Sequence, residues 1–404
     1  MEEKSPVYLV MVTTNNNNKY YRMIPHGDTF EVEYGRVGAS CQHASYSMSQ
    51  WNKKYNEKIK KGYVDQTHLV QDLIQKEKPK GKDGYKEIEN KVIAEIVRRL
   101  QDMAHQKIQA NYKVSSQQVT QAMVDEAQKV IDKLMQREEV EDFNNTLLEL
   151  FSVIPRKMGN VNDYLSRSKE DFARILKDEQ DLLDVMRGQV VTHIVQDEPD
   201  TNDVEEKQET ILEAMGLEFE ETTEEDVRMI KSLLGDCRDK FYRAWRVKNI
   251  KTQKRFDEFV NKEHISKTKL LWHGSRNENW WSIINTGLVL RPTNAVITGK
   301  MFGYGIYYAP KARKSLGYTS LSGSYWARGN SNSAFMALMD VAYGKPYDVH
   351  SFDSKYYDFN YERLQKTCPG ANCLHAHAGS MLRNDEIIVY KEDQCTIKYL
   401  VELR

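Results

Sequence analysis

The sequence has few of the features that would tie it to a disulfide-stapled, membrane-bound or bulk-polyanion-binding class. Its five cysteines (Cys41, Cys237, Cys368, Cys373 and Cys395) are odd in number and mostly scattered, unlike a disulfide framework. No apolar run approaches the roughly 18 residues needed to span a bilayer. The start, "MEEKSPVYLVMV", fits neither a secretory signal nor a transit peptide. A soluble, intracellular, reducing location is expected. Charge of either sign is not in excess, because 58 Lys and Arg stand against 59 Asp and Glu. Attraction to nucleic acid must therefore be local. Proline is absent between Pro79 and Pro155, so nothing in that span interrupts a helix. No internal repeat is seen.

At 404 residues the chain is long enough for two to four domains. Residues 7 to 45 read as a small β-meander, with "YLVMV", "KYYRMI" and "FEVEY" separated by "NNNN" and "HGD". Trp51, Tyr55 and Ile59 then recur at helical spacing before Gly62, which predicts one helix over the sheet. From Trp51 to Lys86 ten lysines face five acidic residues. That excess reads as a solvated helix face and tether, with phosphate attraction as the alternative.

Ile88, Val92, Ile96 and Leu100, and then Val119, Met123, Val130 and Leu134, keep a helical period. Ser115 with Gln118 and Ser168 with Asp171 look like capping boxes, and the helix through "FARILKDEQDLLDVM" is expected to end at Gly188. Residues 87 to 196 thus form an all-α helical bundle. Asp197 to Asp226 holds fourteen acidic residues and one lysine, and reads as a linker from 197 to 224. After a helical lead-in, "VRMIKSLLGDCRDKFYRAWRV", the remainder is strand-rich ("KTKLLWHG", "GIYYA", "AFMALMDVAYG", "EIIVY", "TIKYLVEL"), a mixed α/β domain over 225 to 404. The fold class expected is multidomain α+β.

Three segments of this last domain suggest one site. "WHGS" offers His273, Gly274 and Ser275; "GYGIYYAPKARKSLGY" offers Tyr307, Ser315 and Tyr318; "NDEIIVY" puts Glu386 at the head of an apolar run, where a carboxylate needs a reason. Two tyrosines flanking a short helix can sandwich a flat heteroaromatic ring. A carboxamide on that ring needs an acceptor and a donor, which the Gly274 backbone and the Ser315 hydroxyl can supply. Nicotinamide has that shape.

These segments resemble the His-Tyr-Glu signature of the poly(ADP-ribose) polymerase (PARP) family of ADP-ribosyltransferases. The helical segment resembles that family's regulatory domain. "YGRVG" with the later "KKGY" is similar to the WGR domain found in its DNA-dependent members, giving residues 1 to 75 as a WGR-like domain and 76 to 86 as a basic linker. The resemblance implies NAD+ as substrate. It implies that His273, with Ser275 and Asn279 near it, holds the adenine-side ribose, that Gly274 and Ser315 clamp the carboxamide, and that Tyr307 and Tyr318 flank the ring. Glu386 would hold the nicotinamide ribose, stabilise its oxocarbenium-like state and orient the next acceptor, which favours polymer. Met301 falls in the acceptor-side loop. Tyr34, where the family has tryptophan, and Arg36 would meet DNA strand breaks without reading sequence.

The resemblance implies further that DNA activates transfer to protein acceptors, the chain itself included. The compartment would be nuclear in a eukaryote, cytoplasmic or nucleoid-associated in a prokaryote. A mono-ADP-ribosyltransferase and a non-catalytic NAD+- or ADP-ribose-binding module tethered to DNA are the alternatives. "CPGANCLHAH" carries four potential zinc ligands, but its C-x4-C and H-x-H spacing is not a common zinc pattern. It reads as a loop leading into the Glu386 strand, with no metal.

Overall fold

The computed structural model describes residues 4–70, 85–111, 119–197, 209–290, 300–380 and 382–404. The chain divides into two compact units, Met1–Gly81 with His105–His193, and Lys82–Ala104 with Ile194–Arg404.

In the first unit, β1 (Val7–Thr13), β2 (Asn17–His26), β3 (Thr29–Arg36), β4 (Gln42–Ser47) and β5 (Val64–Asp65) form one sheet in the order β4-β3-β2-β1-β5. Alternation along these strands sends Leu9, Tyr21, Met23, Phe30 and Val32 to one face, as the period of two requires. Helix α1 (Trp51–Lys60) covers that face through Trp51, whose ring meets Phe30 edge-on at 5.0 Å. The expected meander and its helix are both present.

Helix α2 (Lys91–Asn111) starts in the second unit and ends in the first. Asn90 caps it, its Oδ1 accepting from Val92 N at 2.9 Å. Helices α3 (Gln121–Leu134), α4 (Val140–Val153) and α5 (Phe172–Asp197) follow. The Ser115–Gln118 pair lies outside the described residues. Thr120 is the cap of α3, accepting from Met123 N at 3.1 Å while donating to Leu69 O at 2.6 Å. Ser168 makes no side-chain cap bond; Asp171 instead accepts from Arg167 N at 3.0 Å. Gly188 does not end its helix. Gln189 and Val190 continue the buried face beyond it, and burial there outweighs the ~1 kcal/mol that glycine costs a helix. Arg156 and Glu179, both buried, form a bidentate pair with contacts of 2.8 and 2.5 Å.

The strands of the second unit are β6 (Leu217–Glu221), β7 (Phe241–Asn249), β8 (Lys269–Gly274), β9 (Ile306–Tyr308), β10 (Ala334–Val341), β11 (Pro346–Val349), β12 (Cys373–Ala376), β13 (Glu386–Val389) and β14 (Cys395–Leu403). One sheet runs β6-β7-β14-β10-β8 and another β11-β12-β13-β9. The acidic segment expected as a linker is partly structured. Residues 198–208 lie outside the described residues, but Ile211–Met215 form helix α6 and Leu217–Glu221 an edge strand that buries Leu217 and Phe219 and leaves Glu218 and Glu220 exposed. Alternation, not net charge, decides that strand. The helical lead-in is likewise corrected. Helix α7 (Glu224–Leu234) is followed by Gly235 at φ 52°, and "FYRAWRVKN" is strand β7, burying Ala244, Trp245 and Val247. Helix α8 (Ile250–Lys262) follows that strand, capped by the Asn249 side chain. Arg99 of α2 forks onto Glu402 of β14 at 3.1 and 2.9 Å. Among the described residues no helix is long and apolar enough to cross a membrane.

Candidate active site

Strand β8 delivers His273 and Gly274 at the junction of the two sheets. Its partner β10 fixes the register (Ala337 opposite His273), and reciprocal bonds between Trp272 and Ala309, 2.9 and 3.0 Å, draw the end of β9 alongside. His273 Nδ1 therefore lies 3.1 Å from Tyr307 O. A carbonyl only accepts, so Nδ1 carries the proton and Nε2 keeps a lone pair. Burial pushes the imidazole pKa down to about 4, so at neutral pH the ring is an uncharged hydrogen-bond acceptor.

Gly274 is demanded by a close approach. A Cβ there would run into the Ser315 carbonyl of α9 (Ala312–Leu316). The same helix buries Ser315, whose hydroxyl donates to Trp272 O at 3.0 Å. Beside them Asn279 Nδ2 donates to Ser275 Oγ at 3.0 Å, while its buried Oδ1 has no hydrogen-bond partner among the described residues. A buried acceptor left open beside a serine and a histidine suits a hydroxyl-rich ligand.

Tyr307 is pinned at both ends. Its backbone pairs with Ile388 of β13, and its hydroxyl donates to Gly303 O and accepts from Phe302 N, each at 3.1 Å. Burial holds that phenol well above its ordinary pKa, keeping it neutral. Met301, next along, packs against the core formed by Phe302, Phe359 and Ile388. Tyr318 is partly exposed and lies nearly parallel to Trp326, centroids 6.1 Å apart.

Two residues before Ile388 on the same strand is Glu386, buried, with its Oε1 2.5 Å from Lys314 Nζ. Burial alone would depress the lysine's pKa, but the carboxylate outweighs it and the pKa is raised. The charge of Glu386 also bears on the Tyr307 and Tyr318 hydroxyls, adding to the rise that burial causes in both. His273, Gly274, Ser275, Asn279, Tyr307, Ser315, Tyr318 and Glu386 thus gather at one junction. Lys314 was not singled out from the sequence. The signal was available, since a buried carboxylate calls for a cation and Lys314 stands in the same short segment as Tyr318.

Tyr34 and Arg36 belong to the first unit. Tyr34 packs in its core, 5.8 Å from Tyr21. The Arg36 guanidinium donates to Asn16 O and Oδ1, Met158 O and Gly159 O at 2.7 to 3.0 Å. The "CPGANCLHAH" segment is not a loop as expected, because Cys373–Ala376 is strand β12, parallel to β11 and antiparallel to β13. Its apolar Leu374 and Ala376 fill the core, which a loop could not do.

A strand-end histidine, a tyrosine and a strand-head glutamate thus lie at one junction, next to the close approach of Gly274 to Ser315. The comparisons give the class of protein. The family described as "Poly(ADP-ribose) polymerase catalytic domain" matches residues 224–404, and "WGR domain" matches residues 5–70. Uncharacterized protein 101L of Invertebrate iridescent virus 6 is 33% identical over 232 residues, covering 56% of this chain and 94% of the viral protein. The same virus's putative poly [ADP-ribose] polymerase-like 100L is 32% identical over 168 residues, 41% of this chain and 87% of its own length. Poly [ADP-ribose] polymerase 2 of Homo sapiens is 40% identical over 84 residues, 21% of this chain and 13% of that protein. The chain belongs to the poly(ADP-ribose) polymerase family and is an NAD+ ADP-ribosyltransferase.

Proposed function

We propose that the chain transfers ADP-ribose from NAD+ to protein acceptors, itself included, extends the product into polymer, and is stimulated by DNA strand breaks through its WGR unit. The observation that carries the polymer reading is the buried Glu386–Lys314 pair. Lys314 holds the carboxylate through Oε1, and in this reading Oε2 accepts from a ribose hydroxyl. In that reading Gly274 and Ser315 grip the carboxamide, and the neutral His273 accepts from a ribose hydroxyl through Nε2. Glu386 faces the positive charge that grows on the ribose as the C1′–N bond breaks. Nicotinamide leaves as a neutral molecule, so no side chain has to protonate it. A glutamate that has served the donor ribose can accept the proton of an incoming ribose hydroxyl, which is what elongation requires.

DNA stimulation is supported by the matched WGR segment and by the exposed lysines of α1. Residues 1–75, 87–196 and 225–404 are proposed as sensor, helical regulator and catalyst. The test compares NAD+ consumption and product size with and without nicked DNA, for the wild type and Glu386→Gln. A product ladder that grows with DNA supports the reading. A single band would indicate mono-transfer, and binding of NAD+ without nicotinamide release would indicate a non-catalytic module.

A further inference from the structure

The second unit carries a cluster of histidines and aspartates that the proposed transferase chemistry does not use. It lies on the sheet that bears Glu386. Because β12 runs parallel to β11, with Asp348 opposite His375, the next pair on that face is His350 and His377. Because β12 runs antiparallel to β13, with Ala376 opposite Glu386, Asp385 falls beside His377. The imidazoles of His375 and His377 stack at 3.9 Å, and His350 stacks on His377 at 4.4 Å.

Each of the first two rings has one nitrogen toward Asp348 and the other toward Asp385. His377 Nε2 is 2.7 Å and His375 Nδ1 3.9 Å from Asp348 Oδ1, while His375 Nε2 is 3.0 Å and His377 Nδ1 3.8 Å from Asp385 Oδ2. On the Asp348 side one ligand atom from each of Asp348, His375 and His377 falls within 4.8 Å of the others.

From this arrangement we infer that Asp348, His375 and His377 bind a Zn2+-class divalent ion, with Asp385 as the carboxylate that orients both imidazoles. Two imidazoles, one carboxylate and a water make a four-coordinate set that suits zinc. An ionised carboxylate can only accept, so Asp385 fixes the proton of His375 on Nε2 and leaves Nδ1 as a lone pair, the nitrogen that faces Asp348. Asp385 is anchored in turn by Ala378 N at 2.8 Å. A carboxylate behind a ligating histidine is the usual support of such a site.

Three groups around the cluster oppose or compete with the ion. The Tyr343 hydroxyl sits 2.9 Å from His375 Nδ1 and has to swing aside. It departs as a neutral phenol and water takes the fourth position. Lys269, held over the Tyr343 ring, contributes a repelling charge. His377 donates to Asp348 through Nε2 and must move that proton to Nδ1, where Asp385 stands ready to accept it.

Cys368 and Cys373, which the sequence places in the same ten residues, are not ligands. Cys373 Sγ donates to Tyr343 O and Cys368 packs against the Phe302 core. The ligands sit on the opposite face of the sheet from Glu386, since Asp385 and Glu386 are successive residues of one extended segment. An ion there clamps β11, β12 and the approach to β13 without entering the transferase site.

The test uses the full chain, free of any histidine tag and stripped of metal by a chelator. Co2+ is titrated in and followed by its visible absorption, and Zn2+ is then added as competitor. One equivalent of Co2+ with an intense tetrahedral spectrum, displaced by Zn2+, is the expected result, with a thermal midpoint raised by several degrees at saturating Zn2+. Asp348→Asn, at an exposed position that the fold tolerates, and His377→Ala should each abolish saturable binding. Asp385→Asn should weaken it roughly 10- to 100-fold. Cys368→Ser should leave it unchanged. The inference is overturned if wild type shows no saturable site, if Asp348→Asn binds as wild type does, or if Cys368→Ser loses the ion.

Discussion

Lys314 Nζ lies 2.5 Å from Glu386 Oε1, and both side chains are largely withdrawn from solvent. The pair joins two separate elements, a short helix and a strand head. Removing one member leaves a buried, uncompensated charge, which costs more than the pair contributes. Lys314→Met should therefore lower NAD+ turnover roughly 10- to 100-fold. Glu386→Gln keeps the shape and removes the charge, so elongation should vanish while slow nicotinamide release persists. Product sizing by gel, with nicotinamide release measured alongside, separates the two effects.

The depressed pKa of His273 carries a sign that can be measured. The free imidazole protonates near 6.5, whereas in the folded chain it does so only near 4. Between these values the unfolded chain binds a proton that the native chain does not. Native stability contributed by this residue is thus fully present above about pH 6.5 and declines as pH falls toward 4. The full swing is on the order of 3 kcal/mol. Denaturant titrations of wild type and His273→Gln across that window should show the wild type losing stability with acid more steeply than the variant. Because the ring is neutral throughout the physiological range, NAD+ affinity should show no titration attributable to His273 between about pH 6.5 and 8.

Gly274 faces backbone, not a side chain, so no rotamer change can make room for a methyl group. Gly274→Ala should push β8 and α9 apart at the proposed carboxamide clamp. An overpacking cost of about 1 to 3 kcal/mol is expected in thermal or denaturant melts. Affinity for a benzamide-type nicotinamide mimic should fall by roughly tenfold or more in calorimetry. Ser315→Ala should weaken the same mimic without lowering stability as much, since it removes one hydroxyl and leaves the backbone spacing intact.

Much of this organisation could be read from residues alone. The meander, the helix begun by Trp51 and the strands through His273, Tyr307 and Glu386 follow short-range patterns whose period the fold obeys. Three things could not be read so. "FYRAWRV" looks helical because it follows an amphipathic helix, but Gly235 at a positive φ and the 3-10 segment Gly235–Lys240 lead the chain into the sheet. The acidic segment looked like linker by its charge, yet Leu217 and Phe219, two residues apart, suffice for an edge strand. In the sequence the histidines of "CLHAH" group with the nearby cysteines as one potential ligand set, while the structure sets them beside Asp348 and Asp385. Asp348 lies on another strand and Asp385 just before a third, and pairing across strands has no local signature.

Arg36 was expected to meet DNA, yet its guanidinium already donates to four protein oxygens, two on Asn16 and two on the Met158–Gly159 backbone. A guanidinium so engaged contributes to binding by holding the unit together, whereas an exposed lysine on α1, such as Lys53 or Lys60, can neutralise a phosphate directly. The two roles differ in salt dependence. Removing a cation that neutralises one phosphate flattens the slope of log affinity against log salt by somewhat under one. Lys53→Gln with Lys60→Gln should therefore weaken nicked-DNA binding and reduce that slope. Arg36→Ala should lower the melting temperature of the chain and any DNA stimulation while leaving the slope of the residual binding unchanged. Fluorescence anisotropy at several salt concentrations, paired with melts of each variant, distinguishes them. A reduced slope for Arg36→Ala at unaltered stability would assign the guanidinium to phosphate after all.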